Sequence, residues 1–230
     1  MEAATIHRGE LPARQREEPA LSERAITGWK PADPGPLGLA GFAMTTFVLS
    51  MFNANLVDNK GLPVVLGLAL AYGGIAQLLA GIWEFRTGNT FGAVAFCSFG
   101  AFWLSFWALE VFYAKQIGGD AGHAVGLYLW AWAIFTAYMT IAALRTSGAV
   151  LLVFVLLTAT FILLAIGETG AHETVTHWGG YIGIATAAAA WYASFAAVVN
   201  STFGRTIAPV IPLTPGAKAP RVEGEARAVR

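Results

Sequence analysis

From residue 37 onward the chain alternates between long apolar runs and short polar breaks. Six runs stand out, near 37–54, 63–83, 90–112, 123–144, 149–167 and 178–200. Each can cross a hydrocarbon core of ~30 Å as a helix rising ~1.5 Å per residue, the shortest with little tilt. The pattern predicts an all-α integral membrane protein of six transmembrane helices, with both ends of the chain on one side. Residues 1–35 carry charges throughout, with prolines at 12, 19, 31 and 34. They read as a disordered tail without the apolar core of a cleavable signal. Residues 205–230 return to Pro, Gly and charge and read as a second tail, which leaves 36–204 as the membrane domain.

Composition agrees with the pattern. The chain is 56% hydrophobic and 12% charged, with a mean hydropathy of +0.59, against about 25% charged residues in soluble domains. Its formal net charge is zero, which argues against a nucleic-acid partner. One cysteine, Cys97, lies inside a span, so no disulfide or cysteine-based zinc framework forms within one chain. The distribution of charge orients the chain. Twelve Lys and Arg residues fall on the side of the two tails, including Arg86 and Arg145 in the turns, and two, Lys60 and Lys115, on the other. Positive residues collect on the cytoplasmic side. Both termini are therefore expected in the cytoplasm of a cell whose inner, or plasma, membrane holds the protein.

The stretch from Tyr72 to Trp103 carries the densest information. It joins the end of the second span to the start of the third through a short polar turn with Glu84 and Arg86 at its seam. Gln77 lies one to two turns inside the second span, and Ser98 and Phe99 a little over two turns inside the third. Gly73, Gly74 and the Gly88-xxx-Gly92 step allow close helix approach. In the sixth span Gly179, Gly180, Gly183 and a run of alanines suit tight packing, within a protomer or between protomers. Trp130, Trp132 and Trp191 lie deep in their spans, where lipid-facing or intersubunit packing is the plainer account.

No Lys, Arg, His, Asp or Glu occupies the middle third of any span. Ion pumps, proton relays and voltage sensors are built on such residues, so a buried carboxylate relay is not expected. The polar groups at depth are hydroxyls and one amide, among them Thr45, Thr46, Ser50, Gln77, Ser98, Ser105, Thr136, Thr140, Thr158, Thr160 and Thr186. Such groups can stand in for water around a small solute, or bond to their own helix carbonyls one turn back. For a single Ser or Thr the second account is the simpler. Gln77 must place both a donor and an acceptor, and both accounts stay open for it.

Glu84 reads as a charge flanking the turn, with a gate or protonation role as the alternative; Glu110 mirrors it at the other side. His172, Glu173 and His177 resemble a zinc-protease motif, but the histidines are five apart rather than four and leave the shared helix face. They are expected in a solvated loop. No phosphate loop, nucleophile elbow or haem-type histidine pair appears, so neither an enzyme nor a metal or cofactor site is expected. At the start of the first span, Asp33-Pro34-Gly35-Pro36 holds the chain extended before a helix whose N-terminus could face an anion.

These motifs resemble those of the acetate uptake transporter family, which includes bacterial succinate–acetate permeases and yeast acetate and ammonia-export proteins. DPGPLGLAGFAMTT is similar to the family signature N-P-A-P-L-G-L. YGGIAQLLAGIWEFRTGNTFGAVAFCSFGAFWLS looks like its most recurrent block, and YLWAWAIFTAYM, GGYIGIATA and FGRTIAPV follow in order. The resemblance covers about residues 33–211. It implies a six-helix protomer with its own pore, assembled as a homohexamer. An apolar neck would fall on Phe42, Phe99 and Leu157, and Ala190 on a position associated with substrate size. Thr45, Thr46, Gln77, Ser98 and Thr158 join Ala190 as candidate substrate-binding residues, and Asp33, Glu84, Asn89 and Thr90 as candidate mouth or gate residues. Two departures are visible: Asp33 replaces the family's Asn, and Phe99 its usual Tyr.

The expected function is membrane uptake of acetate and other short monocarboxylates, with succinate possible, by symport or channel-like passage with proton co-movement. The rivals are ammonium or ammonia export or another small-solute channel, and a non-transporting membrane sensor whose tails dock partners.

Overall fold

The computed structural model describes residues 31–214. The two ends read as tails lie in part outside these residues, namely 1–30 and 215–230. Among the described residues, six helices are long and apolar enough to cross a membrane: α1 (Gly35–Asn53), α2 (Val64–Thr87), α3 (Thr90–Gln116), α4 (Ala121–Ala143), α5 (Gly148–Gly170) and α6 (Glu173–Phe203). The six expected spans are all present, and several run longer than hydropathy marks them, because helices continue past the apolar band into polar ends.

Local chemistry sets the ends. Pro36 lies in the first turn of α1, where its missing N–H costs no helical bond. Asn89 and Ser147 cap α3 and α5, their side-chain oxygens accepting from the N–H groups of Gly92 and Val150. Between α2 and α3 the chain reverses at Gly88, whose φ of 77° favours a residue without Cβ. The start of α6 differs from expectation. Glu173 to His177 form its first turn and a half rather than a solvated loop, with the N–H groups of Val175 and Thr176 bonded to the His172 carbonyl. An acidic residue in a helix's first turn is favourable, and apolar windows overlook such polar turns.

The helices pack in antiparallel neighbours: α1 with α6, α4 with α5, α5 with α6 and α2 with α3. Lipid offers no hydrophobic drive between helices, so close van der Waals fit carries the association. The α1–α6 contact illustrates it. A Cβ at Gly180 would fall on the Ala54 backbone, and one at Gly183 on the Ser50 hydroxyl. Together with Gly179 against Leu164 of α5, these close approaches lie within the protomer. Ser194 of α6 donates to the Pro36 carbonyl of α1 at 2.7 Å, placing the start of α1 beside the last third of α6.

Most buried threonines bond to their own helix, as Thr45 to Gly41, Thr136 to Trp132, Thr160 to Leu156 and Thr186 to Ile182. The core contains a connected set of rings centred on Phe99 and Phe102. Trp132, expected toward lipid or a neighbour, is instead half-buried in this set, 5.2 Å from Phe102 and 6.1 Å from Phe99. Trp191 is also half-buried, 5.2 Å from Phe47. After α6 the chain folds back across the α4–α5 turn. Asn200 accepts from the N–H groups of Ile207 and Ala208 and donates to the Ala208 carbonyl. Pro212 pairs with Ser147, and Leu213 donates to Thr146.

An internal cavity behind an aromatic neck

Phe42, Phe99 and Leu157 lie in one buried cluster, each at most 5% exposed. They come from α1, α3 and α5, so three separate helices supply this cluster. The rings of Phe42 and Phe99 are 5.8 Å apart. Phe99 also contacts Phe135, Phe154 and Phe161 at 5.3, 6.0 and 6.5 Å. Among the described residues, no charged side chain belongs to this cluster.

Phe42 and Leu157, but not Phe99, line a cavity of about 30 Å3. Thr46, Ser50, Asn53, Trp103 and Thr160 line it among Leu49, Phe102, Phe161 and Leu164, and its wall is almost wholly apolar. Helical spacing explains this order. Thr46, Trp103 and Phe161 each follow a neck residue by four positions, one turn further along the same helix face. The volume holds a water molecule, which needs roughly 10–15 Å3, and is small for a solute of several heavy atoms.

The polar groups are unequally satisfied. Thr160 bonds within its helix and to Thr186 at 3.3 Å. Among the described residues, the buried side-chain polar atoms without a hydrogen-bond partner are Thr46 Oγ1, Gln77 Oε1 and Trp103 Nε1. Two of those residues line the cavity. Gln77 is 1% exposed and lies one turn from Gly73, against which both Thr45 and Trp103 pack. A Cβ at Gly73 would come within 2.6 Å of Thr45 Oγ1 and 2.9 Å of Trp103 Cδ1, so the bare backbone there makes room for the indole. That segment, Ala71–Ala76, is a π-helical turn within α2, a distortion often found at functional sites.

The other sequence-selected residues divide clearly. Thr45 is bonded to its own helix and faces α2 rather than the cavity. Thr158 does not line the cavity. Its hydroxyl meets Thr140 at 2.9 Å and the Phe154 carbonyl at 2.8 Å, stapling α5 to α4. Ser98 is half-buried and Ala190 fully buried, and neither lines the cavity. Trp103 was not selected from sequence, although its step of four from Phe99 was a usable signal.

At the end of the bundle that bears the start of α1, Asp33 and Asn89 are exposed and serve as local caps, with Thr90 beside them. Asp33 takes the Gly35 N–H at 2.9 Å, so part of the expected anion site is filled by the chain's own carboxylate. Glu84 is 2% exposed, not the solvated turn charge that hydropathy suggests. α2 continues to Thr87, and the Glu84 side chain folds inward, accepting from the Thr87 hydroxyl at 3.0 Å and packing on Gly92. Arg86 is exposed and also engaged.

A larger crevice of about 320 Å3 lies to one side, between α3 and α4, lined by residues that include Ser105, Tyr113 and Tyr128. Ser105 and Tyr128 bond to each other at 2.7 Å, and Tyr128 lies 3.2 Å from the Phe102 carbonyl. The smaller cavity, unlike the crevice, is lined by two residues bearing unpartnered atoms.

Six long apolar helices packed around a buried aromatic cluster define a multi-pass helical membrane protein. The chain belongs to the GPR1/FUN34/yaaH family, whose pattern matches residues 18–215. It is 45% identical over 175 residues to ammonia transport outward protein 2 of Saccharomyces cerevisiae, covering 74% of this chain and 62% of that protein. It is 40% identical over 184 residues to the succinate-acetate/proton symporter SatP of Escherichia coli K12, covering 79% of this chain and 96% of that one. The solved structure of the bacterial acetate channel SatP superposes with a TM-score of 0.73 at 39% identity, over 79% of this chain and 99% of that one. The chain spans about two thirds of the length of the yeast relatives it matches.

Proposed function

We propose that this protein moves acetate and other short monocarboxylates across a cell's inner, or plasma, membrane, with both termini in the cytoplasm. The observation that carries the reading is the uncharged cluster of Phe42, Phe99 and Leu157, two of whose side chains line an internal, mostly apolar cavity. A neck of this kind favours a small solute with a short apolar end over one that is bulky or doubly charged. The names carried by the bacterial symporter and channel relatives support the same substrate class.

The mechanism follows from what the passage lacks. Without an ionisable group in the neck or cavity, a proton crosses with the solute, as the undissociated acid or as anion and proton together. Passage requires the rings at the neck to rotate, because the closed cavity is smaller than the solute. Thr46 and Gln77 are the polar contacts on the way, and Asp33, Glu84, Asn89 and Thr90 shape the cytoplasmic mouth. The protomer works within a homohexamer, each copy with its own passage.

Radiolabelled acetate uptake into proteoliposomes tests the reading, with internal pH followed in parallel. Saturable uptake with internal acidification, lost in Leu157→Trp, is expected. Uptake no greater than in empty liposomes would sink it. The yeast relative named for ammonia transport supports a second reading, outward movement of ammonium or ammonia. A methylammonium flux comparable to that of acetate would favour that reading.

A further inference from the structure

Among the described residues Glu84 is the one Asp, Glu, Lys, Arg or His side chain that is buried. Its carboxylate lies where α1 and α3 begin. A Cβ added at Gly92 would come within 2.8 Å of Glu84 Oε1, and one at Gly35 within 3.5 Å. Phe42 follows Gly35 by seven positions and Phe99 follows Gly92 by seven, two turns along the same face of each helix. At a rise of ~1.5 Å per residue, the carboxylate stands roughly 10 Å from the Phe42–Phe99 pair along one α1–α3 seam. The Phe96 ring fills the step between, over Gly38. Resting on the transport reading above, we propose that Glu84 takes the proton from the permeating acid at this mouth and passes it to water through Thr87.

The Thr87 hydroxyl suits that task. Its Oγ1 is 3.0 Å from Glu84 Oε2 and 2.9 Å from the Glu84 main-chain oxygen, and a hydroxyl has one hydrogen to give. With Glu84 ionised, that hydrogen serves one of the two oxygens at a time. With Glu84 protonated, the carboxyl donates to Thr87 Oγ1 and the hydroxyl donates to the main-chain oxygen, so both contacts are made. The same atomic positions hold the residue in either state, as a proton carrier requires. Thr87 is itself exposed and connects the enclosed carboxylate to water.

The surroundings are sparing in charge. Asp33, exposed at the start of α1, shares the Gly35 contact with Glu84, and Arg86 of α2 is exposed. From α3 come the neutral Asn89 and Thr90, and α6 meets the start of α1 through the neutral Ser194.

The step moves a proton and no electrons. The O–H bond of the acid breaks, an O–H bond forms at the Glu84 carboxylate, and the solute leaves as an anion. Glu84 then gives the proton through Thr87 to water and is ionised again. It accepts only when ionised, so acid on the side of the termini keeps it protonated and slows net inward movement. Exchange of one acid molecule for another needs no release to water and continues.

The test uses the full-length protein in proteoliposomes with the termini inside. Glu84→Gln keeps the shape and loses the proton acceptor. Its net acetate uptake is expected to fall about a hundredfold, the lower end of what a positioned proton acceptor contributes, with exchange of labelled for unlabelled acetate held within about twofold. Lowering the internal pH is expected to slow net uptake by the unmodified protein but not the residual uptake of the variant, and Glu84→Asp to restore part of the loss. Independently of transport, infrared spectra across pH are expected to show a protonated-carboxyl band that Glu84→Gln lacks. Thr87→Val is expected to move the internal pH at which uptake falls, and carries the test if Glu84→Gln does not fold.

Net uptake that survives in Glu84→Gln overturns the proposal. Exchange lost in step with net uptake also overturns it, because Glu84 would then be a packing residue. The absence of the band at every pH does the same. A protein that shows the band and moves no acetate removes the transport reading, and the hand-over with it, and leaves the Glu84–Thr87 pair as a proton-holding site.

Discussion

Phe42 of α1 and Phe99 of α3 meet with ring centroids 5.8 Å apart and planes tilted by 52°. The two rings come from helices separated by all of α2, and neither residue is remarkable within its own run. Their meeting, with Leu157 in the same cluster, brings apolar side chains from three helices together in the core. One turn further along the same helices stand Thr46 and Trp103.

Removing volume from this closure is expected to relax size selection. Leu157→Ala should raise uptake of a four-carbon monocarboxylate relative to acetate by about tenfold, the lower end of what one or two methylene groups command in an apolar pocket. Competition of labelled acetate by unlabelled butyrate measures it. An unchanged ratio would mean that Leu157 does not bound the passage.

Thr158→Val separates packing from passage. The Thr158 hydroxyl bonds to Thr140 and to the Phe154 carbonyl, and such bonds between membrane helices average about 0.6 kcal/mol. Unfolding of the purified protein is expected to show a loss of that order, with acetate KM unaltered. A several-fold KM change with unaltered stability would return Thr158 to the binding set.

Charge at the mouth gives a prediction specific to this chain. Asp33 is exposed and caps the Gly35 N–H, a role that Asn fills equally well. Asp33→Asn should leave the fold intact and quicken acetate uptake about threefold at low salt, since surface charge chiefly alters the rate of encounter. The gain should vanish at high ionic strength, where screening shortens to about 3 Å at 1 M. A salt-independent gain would point to a cause other than charge.

The chain after α6 is held through one side chain. Asn200→Ala removes three hydrogen bonds to Ile207 and Ala208, each contributing about 1 kcal/mol. Hydrogen exchange over residues 207–213 is expected to quicken about a hundredfold, with the transmembrane helices unaffected. Equal protection in the variant would show that the pairing of Pro212 and Leu213 with the α4–α5 turn suffices.

Overpacking tests the α1–α6 contact. Gly180→Val places its side chain against the Ala54 backbone, where no rotamer change relieves it. A loss of about 3 kcal/mol is expected, read as a collapse of the monodisperse peak in detergent. A protein of normal stability would show that α1 and α6 can separate locally.

The sequence by itself determined the number of helices, their approximate ends and the absence of charge at depth, because each follows from local composition or a short-range cap. It also singled out Phe42, Phe99 and Leu157, though through motif resemblance rather than periodicity. What it could not determine is the direction in which each side chain points. Thr45 and Thr46 are neighbours of one type, yet about 100° of helix rotation sends the first against Gly73 and the second into the cavity. Thr158 looked equally suited to a solute and turns to α4 instead. Trp103 looked like one aromatic among many until Gly73, some thirty residues earlier, was seen to leave room for its ring. Glu84 passed for a turn charge because hydropathy ends where apolar residues end, while the helix and its burial continue. Hydrophobicity sets which segments enter the membrane; the rotation of each helix against its neighbours, decided by close packing, sets which polar atoms share a cavity.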